Sequence, residues 1–123
     1  MSALNENAVT RLATVTGVDL NTSTPTPLYT VPAGKSCNIV QVTVKNASIS
    51  LTTASISFGF NGSCNDVIAD AHRTELTSSS LCTNGVANSG AKIGTAGGSF
   101  GIKANTLQGA AATVDIDVFG YLY

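Results

Sequence analysis

The 123-residue chain is short of charge: Asp, Glu, Lys and Arg make up 11% of it, less than half of the roughly 25% found in an average soluble domain. It has no Trp, four Phe, three Tyr and a single His. Each scarcity removes a class of function. Six Lys and Arg against seven Asp and Glu, net −1, leave no general basic footprint for a phosphate backbone, so no nucleic-acid partner is expected. No run approaches the ~20 consecutive apolar residues of a bilayer-spanning helix, and no membrane partner is expected either. Met1–Thr10 lacks the basic start and apolar stretch of a secretory signal, which predicts synthesis in the cytoplasm without encoded export. Any Ser-His-Asp triad would have to use His72, and no GxSxG elbow is present to hold its serine.

Cysteine is equally sparse. Cys37, Cys64 and Cys82 contain no closely spaced pair of the kind that holds zinc. Cys37 heads an apolar run and reads as a small buried hydrophobe. Cys64 and Cys82 lie in polar, turn-like sequence, and a disulfide between them would close a loop of modest length. Free thiols suit a protein made in the cytoplasm, and bonding after release into an oxidising medium is the alternative.

Period-two alternation is what the chain does have. Val40, Val42 and Val44 alternate with Gln41, Thr43 and Lys45 within Asn38–Asn46, the pattern of a strand with one buried face. Ile56, Phe58 and Phe60 alternate with small residues. Phe100, Ile102 and Ala104 repeat the pattern, as do Val114, Ile116 and Val118 against Thr113, Asp115 and Asp117. Shorter strands are expected at Leu12–Val15, Leu28–Val31, Val67–Ala69, Thr74–Thr77 and Ala91–Ile93, with a brief helical turn admitted at Asn65–Ala71. Pro32-Ala33-Gly34, Asn61-Gly62, Asn84-Gly85 and Gly97-Gly98 supply turns between them. Many short strands with frequent turns predict an all-β chain, a single antiparallel β-sandwich. Its length fits one domain. Residues 1–27, rich in Asn and Thr and carrying Pro25 and Pro27, read as an extended N-terminal arm with room for one strand near Leu12. The sandwich domain is then 28–123. Ser78–Gly90 reads as a long surface loop.

The candidate sites are mostly bland. Asp66, Asp70, His72 and Glu75 form one titratable cluster in sequence, but the spacing has neither the Gly-centred loop of a calcium hand nor paired metal-binding histidines, and a solvated loop is the simpler reading. Gly94–Gly98 lacks the Lys and Ser/Thr ending of a phosphate loop. Asp115 and Asp117 share a strand face, as paired glycosidase carboxylates do, yet alternation explains them as an exposed or interface face. No catalytic, metal or cofactor site is expected. The C-terminus differs in kind: Phe119, Tyr121 and Tyr123 share the parity of the two aspartates, so the face opposite the core turns aromatic. Such a strand is either central in a sandwich or covered by a partner. Phe119, Tyr121 and Tyr123, with Leu12 and Val15 of the arm, are the expected subunit interface.

LYTVPAGK at Leu28–Lys35, followed by NIVQVTVKNAS, SFGFN and TVDIDVFGYLY, resembles the jelly-roll capsid decoration (cement) proteins of tailed bacteriophages and related virion modules. The resemblance implies a jelly-roll-like sandwich without cofactor, made in the host cytoplasm and seated as a homo-oligomer, a trimer above all, on the capsid exterior. Its implied partner is the major capsid protein. The alternative is a tail or fibre module binding host-surface glycan, although the loops hold almost no aromatic side chain to stack on a sugar.

Overall fold

The C-terminal strand organises half of the molecule. In the computed structural model, which describes residues 8–123, β8 (Thr113–Leu122) pairs antiparallel with β1 (Thr10–Asp19) on one side and with β3 (Cys37–Lys45) on the other. β6 (Cys82–Val86) completes this first sheet beyond β3. In the second sheet β2 (Thr26–Thr30), β7 (Ser99–Thr106), β4 (Ser55–Gly59) and β5 (Ile68–His72) lie in that order, again all antiparallel. No helix occurs among the described residues.

The pairing β1–β8, β2–β7, β3–β6 and β4–β5 is that of one long hairpin folded over itself. Only the β4–β5 connection stays within a sheet, and every other connection crosses between sheets. That is the jelly-roll arrangement, two Greek keys sharing one core. The all-β sandwich read from the alternation is therefore the fold.

The core is thin and aliphatic. Val42, Val44, Val114, Ile116 and Val118 of the first sheet meet Ile56, Phe58, Phe100 and Ile102 of the second, all 2% exposed or less. Phe58 and Phe100 stack with centroids 6.2 Å apart, and Phe60 tilts against Phe100 at 5.3 Å. With no Trp, these three rings are the bulkiest filling available.

Several expectations need correction. In β3 the buried residues are Cys37, Ile39, Val42 and Val44, whereas Val40 is only partly buried. The register shifts between Ile39 and Gln41, so Val40 is the extra residue of a β-bulge and parity reverses across it. The loop expected over Ser78–Gly90 contains β6, and Asn84-Gly85 lies inside that strand instead of turning the chain. Gly85 faces the space between the sheets, where the Arg73 guanidinium would lie 3.0 Å from any added Cβ. Thr74–Thr77 and Ala91–Ile93 form no strand, and Asn65–Ala71 makes no helical turn. The turn at Pro32–Gly34 is present, with Lys35 N–H donating to Pro32 O at 3.2 Å and Gly34 at φ +74°.

Of the stretch expected as an arm, Thr10–Asp19 is β1 and Thr26–Pro27 opens β2. Val18 and Leu20 are 2% and 1% exposed, full members of the core. Residues 1–7 of that stretch lie outside the described residues.

Candidate functional site

Strand parity places the C-terminal aromatics. Because Val114, Ile116 and Val118 point inward, Asp115, Asp117, Phe119 and Tyr121 project from the outer face of the first sheet. Register extends each of them into a row. Arg11, Phe119, Gln41 and Val86 lie side by side across four strands, and Thr14, Asp117, Thr43 and Asn84 form the next row. Tyr121 sits opposite Asn38, whose side-chain amide donates to the phenol oxygen at 2.9 Å. Tyr123 packs against Tyr121 with centroids 6.0 Å apart and keeps 53% of its surface exposed.

This face grades from polar to aromatic along β8. At the polar end Asp115 accepts from Gly17 N–H and from the Asn46 amide, both at 3.0 Å. In the middle Asp117 accepts from the Thr14 hydroxyl at 2.8 Å and pairs with Lys45 at 2.8 Å. Burial raises the Asp117 carboxyl, but the bonds from Lys45 and Thr14 and the nearby Arg11 charge outweigh it and hold the group below its ordinary range. At the far end stand Phe119, Tyr121 and Tyr123, with Val86 65%, Val9 53% and Ile93 48% exposed.

Two bulges lie beside this aromatic end. β1 shifts register between Arg11 and Ala13, opposite Val118–Phe119, and β3 shifts between Ile39 and Gln41, opposite Phe119–Gly120, so the neighbours of β8 kink on either side of Phe119. Bulges bend a strand and re-aim its side chains. Gly120 is needed there, since a Cβ would fall on the carbonyl oxygen of Asn38.

The expected interface set divides on this geometry. Phe119, Tyr121 and Tyr123 share one outer face. Leu12 and Val15 do not join them: Val15 pairs with the inward Ile116, Leu12 occupies the β1 bulge, and both pack against the core of their own sandwich. Arg11, Asn38, Gln41 and Val86 belong to the face and escaped the sequence reading, because only knowledge of which strands flank β8 assigns their parity.

The titratable cluster is dispersed among structural tasks. Asp66 accepts from Phe60 N–H at 2.7 Å, Asp70 accepts from the Asn105 amide at 3.0 Å, and Glu75 accepts from the Thr83 hydroxyl, a bond that leads in holding Glu75 below the usual carboxylate range. His72 sits opposite Ser55 at the end of β5. Among the described residues no three His, Cys, Asp or Glu side chains gather as metal ligands. Gly94 is buried with Phe60 against it, which a side chain there would displace.

No protein-family model and no curated protein matches the chain. Solved structures do. A chain from the acid-stable capsid of Helicobacter pylori bacteriophage KHP30 superposes with a TM-score of 0.55 at 13% identity, over 94% of this chain and 92% of that one. A chain from the capsid asymmetric unit of cyanophage Pam1 gives 0.54 at 17%, over 94% and 86%. The likeness is one of fold, and it runs nearly end to end in both partners.

The cysteines lie apart. Cys37 and Cys64 are buried, Cys82 is exposed, and all three are free thiols. Cys64 belongs to the β4–β5 loop beside Gly101, near the end where β3 begins, while Cys82 sits opposite Lys45 at the other end of β3. The Cys64–Cys82 bridge considered from the sequence is thus not made, because the fold carries its partners to opposite ends of the sandwich. Burial pushes the Cys37 thiol up to about 11 and also raises Cys64, which leaves both poor nucleophiles. An open groove of about 300 Å³ lies between Pro25–Pro27 and Phe60–Gly62 with Cys64 in its wall. It gathers no carboxylate, imidazole or ammonium.

Proposed function

We propose that this chain is a virion structural protein that binds the outer surface of a phage capsid and stabilises the shell by bridging major capsid subunits, acting as a homotrimer. The observation that carries the reading is the end-to-end likeness of its jelly roll to chains from two phage capsids. The sequence resemblance to capsid decoration proteins points the same way. The use of Asp66, Asp70, Glu75 and Asp117 to brace their own fold also suits a protein that works by packing.

The mechanism is thermodynamic linkage. A subunit that binds the assembled, expanded shell and not its precursor lowers the free energy of that shell alone, by an amount that grows with occupancy. The two-sheet sandwich supplies a rigid body that loses little entropy on docking. Cryo-electron microscopy of the source virion is expected to show trimeric jelly-roll density on the capsid exterior. Density confined to the tail would overturn the proposal in favour of a tail or fibre module.

A further inference from the structure

The formal net charge of −1 hides an uneven distribution. Arg11 stands beside Phe119 on the outer face. Lys35 precedes Ser36, whose N–H donates to Tyr123 O at 2.8 Å. Lys92 lies two residues before Gly94, which bridges to Cys37, itself opposite Leu122. All three cations are exposed and surround the end of the sandwich that carries the aromatics.

Most of the described carboxylates lie elsewhere. Asp19 pairs with Thr113 at the start of β8, Asp115 and Asp117 follow it along the strand, and Glu75 bonds Thr83 next to β3's far end. Asp70 faces out from the second sheet. Asp66 is the described carboxylate that shares the aromatic end, and its Oδ1 already accepts from the Phe60 and Asn61 N–H groups at 2.7 and 3.4 Å. An apolar centre with a cationic rim is complementary to an acidic surface with an apolar centre. The two bulges flanking Phe119 are a separate mark of specialisation at the same place.

We propose that the Tyr123 end of the first sheet is the docking surface for an acidic protein partner, its aromatics entering an apolar depression and Arg11, Lys35 and Lys92 meeting carboxylates around it. The inference rests on the capsid reading in taking the shell as that partner, and it adds which end faces the shell and the charge of the surface it meets.

The test uses shells of the source virus stripped of this protein and titrated with wild-type chain, the triple variant Arg11→Glu/Lys35→Glu/Lys92→Glu, Tyr123→Ser, and a control, Lys103→Glu, on the second sheet. Circular dichroism and thermal unfolding establish that each is folded. Wild type is expected to bind and to weaken as salt rises. The triple variant should bind on the order of 100-fold more weakly and Tyr123→Ser about tenfold, with the control within about twofold. Wild type that binds while the triple variant and Tyr123→Ser bind equally well overturns the docking surface and leaves the capsid reading standing. Wild type that fails to bind any shell overturns the capsid reading, and the shell as partner with it. A trimer that these variants dissociate in light scattering identifies the occupant as a second copy of the chain and likewise overturns the acidic partner.

Discussion

Asp117 projects from the outer face of a sheet, yet only 5% of its surface reaches solvent. Thr14 and Lys45 close over it from the strands on either side, so the only salt bridge among the described residues joins β3 to β8. Burial by itself would disfavour the charged carboxylate. The Lys45 and Thr14 bonds and the Arg11 charge outweigh that cost and lower the pKa. A carboxyl with a lower pKa folded than unfolded stabilises the fold above its unfolded value, and the contribution is lost as pH falls through the folded value. Glu75, lowered chiefly by the Thr83 hydroxyl, acts in the same direction. Stability should therefore decline below about pH 4, where free carboxylates begin to protonate. Asp117→Asn is expected to be less stable than wild type near neutrality and to converge with it in acid. Urea midpoints measured across that range check this, and parallel pH curves for the two proteins would contradict the assignment.

At the scale of the strand, bulges decide which side chains are core. Ile39 is 1% exposed and Val40 only partly buried, although the run Val40, Val42, Val44 is the more regular pattern in sequence. Ile39→Ala should cost about 2–5 kcal/mol, as truncation of a buried aliphatic does, and Val40→Ala under about 1 kcal/mol. Equilibrium denaturation gives both values, and a reversed order would place the bulge elsewhere. The same element shows what was legible beforehand. β7 and β8 could be read directly, since the alternation at Val114–Val118 meets no irregularity in β8, and that at Phe100–Ala104 ends before the one at Asn105 in β7. β3 was found but its inward set was misread at one position, because a bulge inserts a residue without any local sequence mark. β6 was missed altogether: Asn84-Gly85 has the chemistry of a turn, and Gly85 is tolerated in the strand because the Arg73 side chain fills the space above it. The aromatic face was half legible for a related reason. Parity along β8 identifies Phe119 and Tyr121, but Arg11 and Gln41 join them only through pairings that span most of the chain.

At the scale of the whole molecule, the jelly roll ties its first strand to its last. Thr10 lies opposite Gly120 and Asp19 opposite Thr113, so β1 runs along nearly all of β8. A sandwich starting at residue 28, as the composition of residues 1–27 suggests, would lack this strand. It would lose Val18 and Leu20 from the core, at roughly 1.5–3 kcal/mol of hydrophobic stabilisation for each side chain. It would also expose the hydrogen-bonding edge of β8, with Val114, Ile116 and Val118 behind it, and an open apolar edge of that length templates strand addition between molecules. Domains of this size have only about 5–15 kcal/mol of net stability, which the loss of a strand from a four-stranded sheet consumes. A chain beginning at residue 28 is therefore expected to be insoluble or unfolded, where the full chain unfolds cooperatively. Circular dichroism and thermal melts of the truncation beside the full chain decide the matter. A soluble, cooperatively folding 28–123 would mean that β1 is an attachment to the sandwich, and that the face on which Arg11 joins Phe119 is assembled from separable parts.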